Sequence, residues 1–280
     1  MSAQMVSLLA FCGAVAAGLL GALAGLGGGI VITPILTLGL GIPLHQALGA
    51  SLVATIATSS GAAAAYVRDG LTNLRLGIFL EVATTAGALS GALIAGHTTP
   101  EALHIVFGVV LLASVIPSLI RLSEELPPAE PPDRWSAYFR LGGDYDDRAL
   151  GRRVAYEPRR APLGFVLMYG AGILSGLLGI GSGPFKVLAM DTGMRIPMKV
   201  STATSNFMIG VTASASAWIY YRSGYIDPRI SGTTALGALT GAYFGSLILP
   251  YLSNRAVRKL LIPVLVWMGI AMIRKGLTHA

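Results

Sequence analysis

The stretch "GALAGLGGGIVITP" at residues 21–34 decides how this chain is interpreted, because it is compatible with two unrelated structures. Glycines ahead of an aliphatic segment form loops that hold nucleotide phosphates, and they also break helices inside membranes. A P-loop needs Gly-Lys-Ser/Thr after its glycines, whereas Ile30-Val31-Ile32 follows here. A dinucleotide fingerprint needs an acidic residue about 20 positions on, but the first acidic residue is Asp69. The pattern therefore favours a membrane helix break.

The composition indicates a protein that crosses a membrane several times. Hydrophobic residues make up 54% of the chain and charged residues 12%, with a mean hydropathy of +0.69. No Asp, Glu, Lys or Arg precedes Arg68, and a spanning helix needs about 20 apolar residues. We therefore predict an all-α polytopic membrane protein. The first apolar segment lacks a basic start, so we expect it to be a retained span and not a cleaved signal peptide.

The net charge of +7 has a simple explanation in such a protein. Lys and Arg collect in the cytoplasmic loops of membrane proteins. We therefore expect this basic chain to lie in a lipid bilayer and not to bind nucleic acid.

The sequence contains an internal repeat at an offset of 154 residues. Residues 25–77 align with residues 179–231 without a gap, and about 14 of the 53 positions are identical. The identical residues are mostly Gly, Pro, Ser, Thr and Arg, whereas chance matches in apolar sequence would be mostly Leu, Ala and Val. Secondary transporters are commonly built from two such repeats.

Each repeat is predicted to hold about four spanning helices and one short segment at the glycine-rich motif. The short segments cover residues 30–40 and 184–193. A helix of about 11 residues rises about 16 Å, roughly half the hydrocarbon thickness, so each is predicted to be a broken or half-length helix. The predicted spans are about 6–26, 44–66, 76–97, 101–121, 161–180, 198–221, 230–250 and 256–274.

The repeats are predicted to occupy residues 1–122 and 161–280, with a linker at 123–160. The linker is polar, Pro-rich and dense in both charge signs, which is typical of a solvent-exposed segment with only local structure. Arginines in and next to it predict a cytoplasmic location. The distribution of Lys and Arg does not decide whether the repeats are parallel or inverted.

The paired glycine motifs carry a family resemblance. "GLGGGIVITPIL" (25–36) and "GIGSGPFKVLAM" (179–190) are each followed by Ile-Pro and by a Ser/Thr-lined helix ending in Tyr-x-Arg-x-Gly. In these features both membrane halves resemble the sulfite exporter TauE/SafE family. The resemblance implies a plasma-membrane secondary carrier for small sulfur-containing or organic anions, such as sulfite, sulfoacetate or other sulfonates. It leaves the substrate and the direction of transport open.

The two helix breaks are the predicted anion-binding elements. Backbone N–H groups at a helix N-terminus attract anions. Small residues also let membrane helices pack closely, which would by itself account for some of these glycines. The candidate binding residues at the breaks are Gly27, Gly28, Gly29, Gly181, Ser182 and Gly183.

Lys186 is the most informative single residue of the second break, where it replaces Ile32 of the first. A lysine at membrane depth is costly and marks a functional site by default. Its ammonium beside two helix N-termini would suit a sulfonate or sulfite. It would otherwise pair with Asp191 or extend to the membrane interface. With Ser182 for Gly28, this difference argues against a two-fold symmetric site.

Polar side chains on the neighbouring predicted helices complete the candidate site. Ser51 and Thr55 share one helix face, Ser205 repeats Ser51, and Asn206 replaces Leu52. These groups either line the substrate path or hold helices together. Glu81 lies within a predicted span and is either a proton-coupling group or a carboxylate near the headgroups.

No metal site, cofactor or catalytic activity is predicted. The four histidines show no metal-binding spacing, and Cys12 is the only cysteine. No nucleophile and base are paired inside the predicted spans, so an enzyme is not expected. The main alternative to anion transport is a carrier or channel for a different small solute, such as a carboxylate or an inorganic ion. The sequence is also compatible with a homo-oligomer.

Overall fold

In the computed structural model, the residues described are 3–24, 27–120, 131, 133–147, 150–248 and 254–278. About 79% of the chain is helical, as predicted for an all-α protein. The elements are α1 (Ala3–Ala24), α2 (Gly29–Pro34), α3 (Leu44–Arg68), α4 (Leu74–Ala95), α5 (Pro100–Ile120), α6 (Arg134–Tyr138), β1 (Gly143–Asp147), β2 (Arg152–Tyr156), α7 (Ala161–Leu178), α8 (Gly183–Leu188), α9 (Met198–Arg222), α10 (Pro228–Ile248) and α11 (Asn254–Thr278).

The short helices α2 and α8 each continue into one π-helical turn. These turns cover Ile35–Gly39 after α2 and Ala189–Gly193 after α8. Thr37 lies in the first turn and bonds back to the carbonyl of Thr33 at 2.9 Å. An extended Pro then begins each of the following long helices, because Pro43 and Pro197 both have φ −53° and ψ 138°.

The membrane character follows from helix length and from the side chains on the outer surface. Among the described residues, four stretches are long and apolar enough to span a bilayer: Gln4–Leu23, Leu44–Arg68, Leu74–Ala95 and Ala161–Leu178. Their large apolar side chains, such as Leu8, Val82 and Val166, lie exposed on the outside. A surface of this kind is stable when lipid covers it. The multi-pass membrane prediction is confirmed.

The helices α1, α3 and α10 run in the same direction. Gly241 of α10 lies against Val15 of α1, and Gly245, one turn further on, lies against Leu19. Gly49 of α3 lies against the segment just before α10, and Gly61 lies against Leu239. Positions therefore rise together along all three helices.

The helices α4, α7 and α9 form a second parallel group. Gly172 of α7 lies against Thr84 of α4, and Gly176 lies against Ala88. A Cβ added to Gly176 would come within 1.9 Å of the Ala88 carbonyl oxygen, so this packing requires glycine. Along α4 and α9, Gly77 lies against Thr204 and Phe207, and positions again rise together.

The two groups run in opposite directions. The His45 ring near the start of α3 lies 4.7 Å from the Tyr225 ring, which follows the end of α9. The backbone N–H of Asn73, beyond the end of α3, donates to Thr204 near the start of α9 at 3.0 Å. Helices α3 and α9 are therefore antiparallel. Helices α5 and α11 are antiparallel too, since Gly276 near the end of α11 lies against Glu101 at the start of α5.

The linker forms helix α6 and an antiparallel hairpin of β1 and β2. Asp133 caps α6 by accepting from the Ser136 N–H at 2.7 Å, and it also accepts from the Ala161 N–H of α7 at 2.8 Å. Burial opposes ionisation of this carboxyl, but the hydrogen bonds outweigh it and lower the pKa of Asp133. The predicted boundary at residues 122 and 123 lies outside the described part of the chain.

The hairpin packs onto the helices more closely than a solvent-exposed linker would. Asn73 donates to the Leu141 carbonyl at 2.8 Å and to the Tyr156 hydroxyl at 2.9 Å. Asp147, at the end of β1, lies 2.7 Å from the Lys199 ammonium of α9, and both residues are buried at 5% and 8% exposure. The linker therefore holds local structure, but it is tied to both halves of the chain.

Replacing Lys199 by Met should destabilise the protein, because Asp147 would keep a buried charge without its cation. Breaking such a pair from one side costs about 3–5 kcal/mol. The double variant Lys199→Met with Asp147→Leu should regain most of the melting temperature. The exposed pair of Arg153 and Asp144 on the same hairpin supplies the control, and Asp144→Asn should change little. Equal melting temperatures for Lys199→Met and Asp144→Asn would contradict this assignment.

Candidate functional site

The two glycine-rich breaks meet halfway along the long helices α3 and α9. Gly27 and Gly181 both lie against Thr55 and Ile209, each halfway along a helix of 25 residues. A helix of that length rises about 37 Å and exceeds the hydrocarbon thickness of about 30 Å. The breaks therefore lie deep within the helical bundle.

Both breaks use left-handed backbone. Gly27 and Gly28 have φ of 72°, Gly181 has 71°, and Ser182 has 51°. Residues with side chains adopt this conformation at a cost, so Ser182 marks a place where the structure holds a strained residue. Strain of this kind is concentrated at functional sites.

Two serines hold the broken backbone. The Ser51 hydroxyl lies 3.1 Å from the Gly29 carbonyl and 3.0 Å from the Gly179 carbonyl, so one side chain links both breaks. Ser205, its counterpart in α9, donates to the Gly183 carbonyl at 3.5 Å. The predicted candidates Ser51 and Ser205 therefore contact the backbone of the breaks and hold it in position.

Three further candidates carry buried polar atoms that have no hydrogen-bond partner among the described residues. They are the Thr55 hydroxyl, the Ser182 hydroxyl and the Asn206 Oδ1. All three residues are fully buried. The Asn206 amide N–H₂ is used, since it donates to the Thr202 carbonyl at 3.1 Å. A buried polar group without a partner costs about 1–3 kcal/mol, so these atoms are available to a small polar ligand.

Lys186 forms a buried ion pair with a residue of another membrane helix. Its side chain is 0% exposed, and its ammonium lies 3.8 Å from Oε2 of Glu81 on α4. The ammonium also donates a short hydrogen bond to the Thr212 hydroxyl of α9, which in turn lies 2.6 Å from Oε1 of Glu81. Three helices therefore contribute to one buried cluster.

The Glu81 carboxylate is surrounded by hydroxyls. Thr85 donates to Oε1 at 2.9 Å, and the Thr84 hydroxyl lies 3.1 Å from Oε2. Together with Thr212, these groups can donate to an ionised carboxylate. Glu81 is 8% exposed, so its side chain lies inside the helical bundle, and its role in proton coupling stays a prediction. Lys186 pairs with Glu81, whereas the sequence offered Asp191 as the alternative partner.

The sequence placed Thr212 on the Ser/Thr-lined face of its helix, but it did not single out Thr84 and Thr85. Thr212 aligns with Thr58 in the repeat, but Thr58 bonds to the Ala54 carbonyl at 2.8 Å within its own helix. Thr84 and Thr85 follow Glu81 by three and four residues, which is the spacing of one helix face. That spacing was the sequence signal that could have predicted their contact with Glu81. The packing of α4 against α9, which brings Thr212 to Glu81, has no local sequence signal.

These features define a class of protein: a multi-pass membrane protein with buried polar groups between two short helices. Residues 9–272 match the family model described as sulfite exporter TauE/SafE. The chain belongs to that family.

Curated relatives carry the same description of a transporter. The chain is 27% identical over 268 residues to the probable membrane transporter protein YunE of Bacillus subtilis (strain 168), covering 93% of this chain and 95% of the relative. It is 27% identical over 222 residues to the probable membrane transporter protein YdhB of the same organism, covering 79% and 82%. The probable membrane transporter protein ORF9 of Sinorhizobium sp is 24% identical over 266 residues, covering 94% and 90%. No solved structure matches the chain significantly.

The packing at the breaks predicts the effect of one added methyl group. In Gly181→Ala, the Cβ would lie 2.7 Å from the Thr55 methyl and 2.8 Å from Ile209, in left-handed backbone. Gly224→Ala is the control, because Gly224 has φ of 73° with open space around it. We expect a cost of about 1 kcal/mol in the control from backbone strain alone. Crowding should add about 1–3 kcal/mol at position 181.

Melting temperatures of the purified variants measure this difference. Adding Thr55→Ser, which removes the nearest methyl, should recover part of the loss in Gly181→Ala and nothing in Gly224→Ala. Equal losses for the two glycine variants would show that the breaks do not pack as described.

Proposed function

We propose that the protein is a secondary transporter that carries a small sulfur-containing or organic anion across the plasma membrane. Sulfite, sulfoacetate and other sulfonates are the candidate substrates. The anion is held at mid-depth between the two helix breaks, beside Lys186. The single observation that carries this proposal is a fully buried Lys186 ammonium on the short helix that begins at the second break.

The transporter is built from two inverted repeats, residues 1–122 and 161–280, each with about four spans and one half-helix. Helices that correspond at the offset of 154 run in opposite directions: α3 against α9, and α5 against α11. Left-handed residues also occur in pairs 154 residues apart, and in two of these pairs the residue types differ. The pairs are Gly27 with Gly181, Gly28 with Ser182, Gly41 with Arg195 and Gly70 with Gly224.

An inverted repeat matters for transport because it supplies two similar conformations facing opposite sides. Binding sites in such transporters lie near the membrane centre, where discontinuous helices from the two repeats meet. The short helices here begin at Gly29 and Gly183 and meet between α3 and α9. This location supports the assignment of the substrate site to the breaks.

The chemistry of the site favours an oxyanion. Lys186 supplies a positive charge, and Thr55, Ser182 and the backbone of the breaks supply hydroxyl and N–H donors. The backbone groups in question belong to Gly27, Gly28, Gly29, Gly181 and Gly183. Ser51 and Ser205 position the breaks, and Asn206 lines the same region. A carboxylate offers oxygens of similar geometry, so carboxylates are the competing class of substrate.

Lys186→Met should weaken anion binding about ten- to hundredfold, since a hydrogen bond to a charged group contributes about 1.5–3 kcal/mol. Thermal shifts of the purified protein with sulfite, sulfoacetate, taurine, thiosulfate, lactate and sulfate rank the ligands, because binding to the native state stabilises it. Arg68→Met, at an exposed end of α3, is the matched control and should bind as the wild type does.

Lys186→Met leaves Glu81 without the Lys186 ammonium, so the stability of this variant needs its own control. If Lys186→Met melts early, the double variant with Glu81→Gln removes the unpaired charge and should restore stability without restoring anion affinity. Wild-type affinity in a folded Lys186→Met protein would remove Lys186 from the binding site.

The inverted arrangement predicts which loops face the cytoplasm. The linker and the starts of α4, α7 and α9 lie on one side, which the arginines of the linker assign to the cytoplasm. The loop between α9 and α10 then lies outside. In a Cys12→Ala background, Tyr138→Cys (80% exposed in α6) should resist an impermeant thiol reagent added to intact cells. Ser223→Cys, exposed after α9, should react.

Permeabilised cells supply the control, since both cysteines should then be labelled. Labelling of both in intact cells would contradict the cytoplasmic linker. Protection of both would contradict the inverted repeat.

A further inference from the structure

We propose that Glu81 and the transported anion compete for the Lys186 ammonium, so that the site takes up one proton with each monovalent anion that it binds. This inference rests on the proposed function, and it adds the coupling ion. The exchange is balanced: a proton from solution joins the Glu81 carboxylate, and the anion replaces that carboxylate beside the ammonium.

The hydrogen-bond directions in the cluster follow from the donors. An ammonium can only donate, so the Thr212 hydroxyl accepts from Lys186. The single hydroxyl proton of Thr212 is then directed to Glu81 Oε1 at 2.6 Å or shared with the Met208 carbonyl at 3.0 Å. Thr212 therefore connects the two charged groups of this pair through one hydroxyl.

The surroundings of Glu81 suit both of its protonation states. Its hydrogen-bond partners among the described residues are the hydroxyls of Thr84, Thr85 and Thr212. A hydroxyl rotates and so donates to a carboxylate or accepts from a carboxylic acid. A partner such as arginine or a backbone N–H could only donate, and it would hold Glu81 ionised. Protonated Glu81 therefore stays satisfied after it releases Lys186.

Charge balance requires the proton. Glu81 and Lys186 together carry no net charge, and both are buried away from water. A monovalent anion added to this pair would leave one uncompensated negative charge in a medium of low dielectric constant, which is expensive. Protonation of Glu81 removes that charge, and the ammonium is then free to contact the anion.

Among the described residues, no other ionisable side chain forms a hydrogen bond or an ion pair with the Glu81 carboxylate or the Lys186 ammonium. Most of the other ionisable groups on the elements packed against the cluster lie towards the ends of their helices. They are Arg75 on α4, Glu101 and His104 on α5, Tyr169 on α7, Asp191 after α8, and Lys199, Tyr220, Tyr221 and Arg222 on α9.

The cluster adjoins the atoms that lack a partner. The Lys186 backbone N–H donates to the Ser182 carbonyl at 3.0 Å, so Ser182 lies one helical turn before Lys186, at the start of α8. The Ser182 hydroxyl is buried and unsatisfied. An anion that accepts from this hydroxyl is therefore within reach of the ammonium that Glu81 holds in its absence.

Isothermal titration calorimetry of the purified full chain tests the proposal directly. The probes are methanesulfonate and lactate, neither of which titrates between pH 6 and pH 8. Titrations in buffers with different ionisation enthalpies count the protons taken up. We expect about one proton per anion in the wild type, and a dissociation constant that rises about tenfold for each pH unit while Glu81 is ionised in the free protein.

Glu81→Gln should abolish both effects, because its amide carries no charge and cannot take up a proton. Its anion affinity should be independent of pH and should exceed that of the wild type at pH 8. Glu101→Gln, at the start of α5, is the matched control and should keep one proton per anion. The wild-type proton count needs no variant, so the test does not depend on whether Glu81→Gln folds.

Each result has a distinct meaning. Anion binding by the wild type with no proton uptake and no pH dependence overturns the proton exchange and leaves the proposed function standing. Binding of neither probe by the folded wild type overturns the anion site and this inference together.

Discussion

A helix can be broken inside a membrane only where protein, and not lipid, surrounds the exposed backbone groups. This constraint governs the centre of the molecule. The Ser51 hydroxyl reaches carbonyls of both breaks, and Thr55 and Ile209 close over the left-handed glycines. Helices α3 and α9 are therefore buried against the breaks, and the apolar surfaces of α1, α4 and α7 are left to face the lipid.

The same constraint concentrates polarity at one depth. Exposed backbone groups at the breaks need polar neighbours, and hydroxyls, an amide and an ion pair lie nearby. The atoms of Thr55, Ser182 and Asn206 that lack a hydrogen-bond partner among the described residues lie in this region. Helices α4 and α8 contribute the ion pair of Glu81 and Lys186. In hydrocarbon, an electrostatic interaction is strong enough to make charge neutrality a condition of binding. In the proposed site, the net charge of a ligand would therefore decide binding as much as its shape.

Much of the fold was predictable because its signals are local. Uncharged segments indicate membrane helices, and the glycine and proline pairs placed the short segments near 30–40 and 184–193, close to the observed starts at Gly29 and Gly183. The candidate residues at the breaks also lie together in the structure. The partner of Lys186 was not predictable in the same way. Asp191 is near in sequence, whereas Glu81 comes from the other half of the chain and reaches Lys186 only because α4 packs against α9.

The direction of the repeats was open for a related reason. Counting Lys and Arg depends on whether a short segment crosses the bilayer, and composition does not determine that. Helix contacts carry the missing information, since they order one helix against another, and the proposed inverted arrangement rests on them. The hairpin was underestimated because alternating charged and aromatic residues, as in Tyr145 and Asp147, resemble an exposed linker until the buried partner Lys199 is known.

The linker hairpin also changes which parts of the molecule belong together mechanically. It bonds to Asn73 before α4 and to Lys199 of α9, while Asp133 beside α6 accepts from the first N–H of α7. These attachments join one helix from the first half to two from the second, and the same three helices pack in parallel. The group of helices that the linker holds together is therefore a mixed one. It draws on both halves of the sequence, and a split of the chain at the linker would separate helices that pack as one group.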